Sequence, residues 1–425
     1  MEHYRPQHLA PDGAPRRGRR VRRAVAWVAP VALVALVGGG AAYGMSQRAG
    51  EPGVAAVAPS STTTVGTTRG TTSSSTTTAP PPPREGTMAF AGDILIHSEV
   101  WHAADTGAGY DFVPMLAPVA TQLSAADVAV CHLEVTLARP EDSLSSYPRF
   151  RAPLSLAANL ASAGFDGCSV ASNHSLDFGE QGVAATLGAL DEAGLQHVGT
   201  ARSPEEDARP AAYEVDGIRV AQLSYSYGFN GFLEPADKPW LVDQIDPASI
   251  LADATAARAA GAEVVVVSMH WGNEYTHDVV ASQQTVADAL AAVPGAVDLI
   301  VGHHAHVVQP ISRVGDMWVV WGMGNMLSNN APRCCLTDAT DGVIVTVTIG
   351  DLGPTRGVVG VKGVSFTPTW NERETFRVLP AAETLAAGVA SAELAADLRA
   401  SFERTAGHVL ALTGADPGVA PDRLP

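Results

Sequence analysis

Cysteine is scarce. The 425 residues contain four, and Cys131, Cys168, Cys334 and Cys335 have none of the spacings of a cysteine-held zinc module. Cys131 and Cys168 lie in apolar runs and read as small buried residues, whereas Cys334-Cys335 falls in a polar loop, where pairing in an oxidising compartment is open to it. Aromatic residues make up only 6% of the chain, yet an apolar content of 46% is that of an ordinary globular core. Positive charge is scarce too, except at one end. The formal net charge is -17, but the first fifty residues carry eight arginines against Glu2 and Asp12, a local +6 that leaves -23 for the rest. So acidic a body excludes a nucleic-acid partner for the folded part.

The basic cluster Arg16 to Arg23 directly precedes residues 24–44, an uncharged run rich in Ala, Val and Leu and long enough to cross a bilayer as a helix. The arginines favour the cytoplasmic side, and no small-residue cleavage site follows, so an uncleaved signal-anchor is expected. A removed signal peptide and twin-arginine export are the alternatives. Residues 45–86 are dominated by Ser, Thr, Gly and Pro, including Pro80 to Pro83, and have too few large apolar side chains to offset chain entropy. The expected organisation is a basic cytoplasmic segment (1–23), a transmembrane signal-anchor (24–44), a disordered stalk (45–86), a folded domain (87–380) and an Ala-rich helical tail (381–425). It implies a single-pass protein of the cell membrane with its folded domain extracytoplasmic.

Inside the folded domain, apolar runs repeatedly end in groups able to bind metals. Thr87 to Gly92 runs into Asp93, and Ala126 to Leu133 into Glu134, a carboxylate that is costly to bury unless paired or metal-bound. Gly164 to Ser172 runs into Asn173 and His174, with Asp177 three residues later; Glu263 to Met269 runs into His270. Leu299-Ile-Val-Gly302 is followed by His303, His304 and His306, and on an extended segment His304 and His306 face one side while His303 turns away. Five such strand ends are hard to reconcile with packing alone, and carboxylate, imidazole and amide together are the donors of a one- or two-metal hydrolase. Open α/β sheets keep their sites at these strand ends. Arg149 and Arg151 are candidate cations for an anionic substrate, or ordinary solvated loop arginines. His97 reads as a ligand or as a loop histidine. Residues 225–241, with two tyrosines, two phenylalanines and Trp240, read as an irregular loop over the site.

Taken in order, Ala91-Gly92-Asp93, Leu133-Glu134, Ser172-Asn173-His174 with Asp177 and Gly179, His270-Trp271-Gly272-x-Glu274-Tyr275, Gly302-x-His304-x-His306-Val307 and Gly322-x-Gly324-Asn325 resemble the capsule synthesis protein CapA family. This poly-γ-glutamate biosynthesis family is related to calcineurin-like metallophosphatases, and the likeness spans roughly residues 87 to 330. It implies a four-layer α/β/β/α sandwich, an envelope location, and a part in making, exporting or releasing an anionic γ-linked glutamate polymer. Two positions depart from the pattern: Leu95 stands where metallophosphatases carry the histidine of Asp-x-His, and His132 stands where the family has Asn before Leu-Glu.

The resulting expectation is that Asp93, Glu134, His174, His270, His304 and His306 hold one or two divalent ions (Mn, Zn, Fe or Mg) that make hydroxide near neutral pH. Asn173, His174, His270 and His304 would carry the chemistry, Arg149, Arg151 and Asn325 would hold substrate, and Asp177 and Glu274 would stand behind them. The reaction would be hydrolysis or transfer at a phosphoester or a γ-glutamyl amide. The alternative is a non-catalytic envelope component that binds the anionic polymer or a membrane synthase.

Overall fold

The computed structural model describes residues 81–330, 337–413 and 418–423. The expected basic segment, the apolar run, residues 45–80 of the stalk and the Cys334-Cys335 pair lie outside these. Among the described residues no helix is long and apolar enough to cross a membrane.

In chain order, β1 is Glu85–Leu95, β2 Val128–Leu133, β3 Thr136–Leu137, β4 Arg151–Ala152, β5 Gly167–Ser169 and β6 Gln196–Val198. They are followed by β7 (Ala211–Val215), β8 (Ile218–Ser226), β9 (Val264–His270), β10 (Leu299–His303), β11 (Ile311–Val314) and β12 (Met317–Val320). The last are β13 (Asn325–Ser328), β14 (Asp341–Asp351), β15 (Val359–Asn371), β16 (Val378–Pro380) and β17 (Val419–Pro421).

A nine-stranded sheet has the order β16-β15-β14-β1-β2-β5-β6, with β13 also on β1 and β17 on β15. A six-stranded sheet has the order β11-β12-β10-β9-β8-β7. In the first, β1, β2, β5 and β6 are parallel; in the second, β8, β9, β10 and β12 are. Parallel strands are covered on both faces, which is why β9 reads as an unbroken Val264 to Val267 run and is buried throughout.

Side-chain alternation assigns the layers. Met88, Phe90, Val128 and Val130 of the first sheet meet Val220, Val264, Val266 and Leu299 of the second. The intervening Ala89, Ala91 and Ala129 face outward onto Leu156 and Leu160 of helix Ser155–Ala163 and Leu187 and Leu190 of helix Gly179–Ala193. On the far side, Val265, Val267 and Met269 pack on Ile250 and Ala254 of helix Pro247–Ala259 and Ala287 and Leu290 of helix Ala281–Ala291. The layers therefore run helix, sheet, sheet, helix.

Several local expectations meet a different outcome. Residues 113–125, although spaced as one helix would be, form Val113–Leu116, a 3-10 turn at Ala117–Val119 and Ala120–Ala125, because Pro114 and Pro118 interrupt the hydrogen-bond ladder. Helix Ala281–Ala291 starts at Val280, whose N–H donates to Gln283 Oε1 at 3.0 Å. Cys131 and Cys168 are more than small buried residues: they are register partners on β2 and β5, and their sulfurs are bonded. The Asp216-Gly217 hairpin forms between β7 and β8 with both residues at positive φ. Glu85 and Gly86, assigned to the stalk, already pair with Gly350 and Ile349 of β14. The tail helices Ala381–Ala386 and Ala392–Val409 pack through Leu398 and Phe402 onto Trp370 and Leu379, and β17 adds to β15, so the tail is stitched to the first sheet.

Candidate metal centre

The C-terminal ends of parallel strands from both sheets converge. Asp93 on β1 is the register partner of His132 on β2 and of Asn325 on β13, and His270 and His303 are partners across β9 and β10. Two glycines permit the close approach: a Cβ at Gly92 would lie 2.3 Å from Gly324 O, and one at Gly302 would lie 1.9 Å from Trp321 O. The strand β10 ends at His303, and both His304 and His306 take left-handed backbone angles (φ 86° and 55°). Backbone strain of this kind concentrates at functional sites.

Two buried groups of metal-competent side chains result: Asp93, His132 and His303, and Glu134, His304 and His306. In the first, His303 Nδ1 donates to Asp93 Oδ1 at 2.9 Å, and the backbone N–H of His304 donates to Asp93 Oδ2 at 3.0 Å. His132 Nδ1 lies 2.8 Å from Ser169 Oγ, and its Nε2 is 2.9 Å from His270 Nδ1. In the second, Glu134 has no hydrogen-bond donor on either oxygen although it is fully buried; His270 Nε2 and His306 Nε2 stand 3.6 and 3.7 Å away, beyond hydrogen-bond reach. His304 Nδ1 is likewise buried without a partner. Buried polar atoms normally find partners. Two orphan carboxylate oxygens and an orphan imidazole nitrogen in one pocket fit a divalent cation.

The charges respond to this geometry. Burial pushes the Asp93 carboxyl up, but hydrogen bonds from His303 and His306 outweigh it and hold Asp93 well below the usual carboxylate range. Burial without a donor drives Glu134 well above that range. Burial opposes a charge on His306, yet Glu134 and Asp93 raise it to about 10. Burial and the neighbouring His306 bring His304 down to about 3, and burial with adjacent imidazoles keeps His132 and His270 well below the ordinary histidine value.

Of the residues singled out in the sequence, Asp93, Glu134, His304 and His306 fall in the two groups. His270 stands beside them, with Nδ1 on His132 and Nε2 3.0 Å from Asn173 Oδ1. His174 lies outside both groups; its Nδ1 donates to Asp177 Oδ2 at 2.8 Å, and that carboxylate also accepts the Phe150 N–H at 2.6 Å. Asn325, expected at the substrate, has its amide committed to protein: Oδ1 to His306 Nδ1 at 3.1 Å, Nδ2 to the carbonyls of His306 and Ala339 at 3.1 and 2.8 Å. It positions His306. Arg149 is exposed, donates from Nε to the Asp177 carbonyl at 2.8 Å and lies over the Phe178 and Phe232 rings. Arg151 pairs with Asp142 at 3.3 Å and stacks on Phe178. Glu274 is exposed at the rim, where its charge is felt by Glu134 and His306. His97, brought down to about 4 by burial, accepts from the Asn329 N–H at 3.2 Å and belongs to neither group.

His132 and His303 were missed as ligands. His303 does not turn away, because the chain leaves the strand conformation at His304 and alternation stops there. His132 ends an apolar run as Glu134 does, and that signal was present in the sequence. Tyr227 in the 225–241 loop was not singled out either; its ring centroid lies 4.6 Å from that of His304.

A protein-family model described as bacterial capsule synthesis protein PGA_cap matches residues 87–330. The capsule biosynthesis protein CapA of Bacillus anthracis is 31% identical over 169 residues, 39% of this chain and 40% of that protein. The PGA biosynthesis protein CapA of Bacillus subtilis (strain 168) is 31% identical over 159 residues, 37% of this chain and 41% of that protein. The match thus spans well under half the length of these curated relatives. Among solved structures, the calcineurin-like phosphoesterase YfkN from Bacillus subtilis superposes with a TM-score of 0.42 at 13% identity, over 76% of this chain and 98% of that one.

Proposed function

The chain belongs to the bacterial capsule synthesis protein PGA_cap family, and on that premise we propose that it is a metal-dependent hydrolase or transferase serving the synthesis or export of a poly-γ-glutamate polymer. The bond attacked is a phosphoester or a γ-glutamyl amide. The observation that carries this reading is the buried Glu134 carboxyl with no donor beside the uncharged His304, whose Nδ1 is also without a partner, an arrangement that fits a divalent cation.

Asp93, His132, His303, Glu134, His304 and His306 would hold one or two divalent ions. Such an ion supplies Lewis-acid charge and activates water near neutral pH. The remaining roles are those of the chain itself. Asp177 fixes the His174 tautomer with its proton on Nδ1, which leaves Nε2 to give or take a proton at the reacting group. The Asn173 carbonyl oxygen accepts from His270 Nε2, which orients that imidazole and turns the Asn173 amide nitrogen toward the 225–241 loop, 3.3 Å from Asn230 Oδ1. Tyr227 lies against His304 at the mouth of the site, its ring tilted 38° to the imidazole. Arg149, held against the Asp177 carbonyl, offers a cation at the rim to a carboxylate or phosphate.

The domain works outside the cytoplasm, tethered by residues 24–44 behind the arginine cluster. The Cys131–Cys168 bond supports this, since such bonds persist in oxidising compartments.

The test is to incubate the purified full-length chain with a generic phosphodiester and with poly-γ-glutamate, with and without Mn2+ or Zn2+. Turnover abolished by a chelator and by Asp93→Asn is expected. Polymer binding without turnover would overturn the catalytic reading and leave a non-catalytic polymer-binding component.

A further inference from the structure

A covalent bond joins two of the strands that feed the buried centre. Cys131 on β2 and Cys168 on β5 are register partners, both buried, and their sulfurs are linked. Cys131 is followed directly by His132, with Glu134 just beyond; Cys168 is followed directly by Ser169, with Asn173 and His174 at the end of the same segment. Without that bond the two strands hold each other through little backbone. β5 is three residues long, and its ladder with β2 consists of Val130 with Gly167, Cys131 with Cys168, and His132 with Ser169. On its other side it meets β6, which is also three residues long.

Past the cysteines, side chains close a ring that depends on how β2 and β5 are levelled. His132 Nδ1 lies 2.8 Å from Ser169 Oγ, and its Nε2 lies 2.9 Å from His270 Nδ1. His270 Nε2 lies 3.0 Å from Asn173 Oδ1, and the chain returns from Asn173 to Ser169 and Cys168. Ser172 Oγ donates to the Glu134 carbonyl at 3.3 Å, a second tie between the two strand ends. Slippage of β5 along β2 would break these bonds together, and a slip of one residue would turn its side chains to the opposite face. The disulfide also closes the root of the segment that carries Glu134, Arg149 and Arg151, and from which the Phe150 N–H donates to Asp177. Packing alone does not ask for the bond, since two small apolar side chains would fill the same buried positions.

We propose that the Cys131–Cys168 bond is a redox-dependent positioning element of the metal centre: it fixes Glu134 against Asn173 and His174, so that the oxidised chain binds a divalent ion tightly and the dithiol chain binds it weakly. This rests on the reading that the centre holds such an ion. The bond forms by exchange with a disulfide-bearing oxidant. One cysteine thiolate attacks the oxidant, the second displaces it, and the two cysteines give up two protons and two electrons as their S–S bond forms and the oxidant's breaks, leaving the oxidant a dithiol. Both cysteines are buried, so the exchange takes place before the fold closes, and a chain that folds in a reducing compartment lacks the tight centre.

The test reads metal affinity rather than turnover. The full-length chain is prepared in three forms: oxidised, folded under dithiothreitol, and as the double variant Cys131→Ala/Cys168→Val, which keeps close to the volume of the pair without the bond. Mn2+ is the probe, followed as the free ion by electron paramagnetic resonance, because thiolates such as those of Cys334 and Cys335 are poor ligands for it. The oxidised chain is expected to bind Mn2+ about 10–100-fold more tightly than either bond-free form, the loss that follows when a partner of a metal ligand is displaced, with far-UV circular dichroism unchanged. Each bond-free form guards against a folding defect peculiar to the other. Equal affinities would overturn the inference and leave the metal reading standing. Loss of the circular dichroism signal in both bond-free forms would also overturn it, because the bond would then hold the fold rather than the site. No Mn2+ bound by the oxidised chain would overturn the metal reading, and this inference with it.

Discussion

Replacing Glu134 by glutamine separates a carboxyl kept for a cation from one kept for packing. With chelator present, burial without a donor holds the folded carboxyl protonated well above its usual range. Gln is then a near-isosteric neutral replacement, and E134Q should unfold in urea within about 1 kcal/mol of wild type. With Mn2+ or Zn2+ at a hundred times its dissociation constant, wild type should gain about 2.7 kcal/mol. Losing even an outer-shell partner costs 10–100-fold in metal affinity, so at the same metal concentration E134Q should forfeit at least about 1.3–2.3 kcal/mol of that gain. The pH dependence gives a second check. Above pH 4.5 the unfolded Glu134 ionises while the folded one keeps its proton, so metal-free wild type loses stability as pH rises, by up to about 1.4 kcal/mol per unit, until the folded carboxyl ionises. His306, raised to about 10 by Glu134 and Asp93, adds a slope of the same sign from 6.5 upward, and E134Q removes the Glu134 share of that rise, so the metal-free variant should show the shallower pH dependence of the two. Equal metal-induced gains in the two proteins, or a loss of several kcal/mol in chelator, would refute the reasoning.

Asn325→Ala removes three buried hydrogen bonds and strands the His306 ring N–H and two carbonyls; urea denaturation should show a loss of roughly 2–4 kcal/mol, and a loss under about 0.5 kcal/mol would contradict a positioning role. A topology reporter inserted after residue 86 should register outside the cytoplasm, and a cytoplasmic signal would remove the signal-anchor reading.

Strands that end in polar groups were legible because burial forces a simple code: a residue facing neither sheet nor helix layer, after a run such as Val264 to Met269, has to be paired or liganded. That logic found Asp93, Glu134, His304 and His306. It found His304 and His306 for an incomplete reason, since alternation fails once φ turns positive and only the fold brings both to Glu134. His132 and His303 needed register, which a single sequence does not contain: Asp93 and His132 are level across β1 and β2, and His303 and His270 across β10 and β9. The proximity of His277, Asp338 and His408 is illegible for a similar reason, since these residues meet only because the C-terminal helix folds back beside the first sheet.

The two buried carboxyls carry the argument for a cation further than the count of histidines does. Asp93 and Glu134 are both fully buried at the ends of neighbouring parallel strands, so burial alone would treat them alike. Asp93 receives a ring N–H, a backbone N–H and a second imidazole, and is held ionised. Glu134 receives none, and burial drives it well above the usual carboxylate range. A fold selecting only for stability would put an apolar residue at 134, because an unsatisfied buried carboxyl costs about 1–3 kcal/mol. The cost makes sense if a cation completes the set, and the chain's layout says what that cation would join. Asp93, His132 and Glu134 come from the first sheet, and His303, His304 and His306 from the second. Away from the site the sheets are held by Phe90, Val130, Val266 and Val301. At the site polar groups replace that apolar contact, and a shared ion would add to the hydrogen bonds from His303 and His304 to Asp93 that already join the two strand ends. Removing such an ion would loosen the mouth before the apolar interior opens.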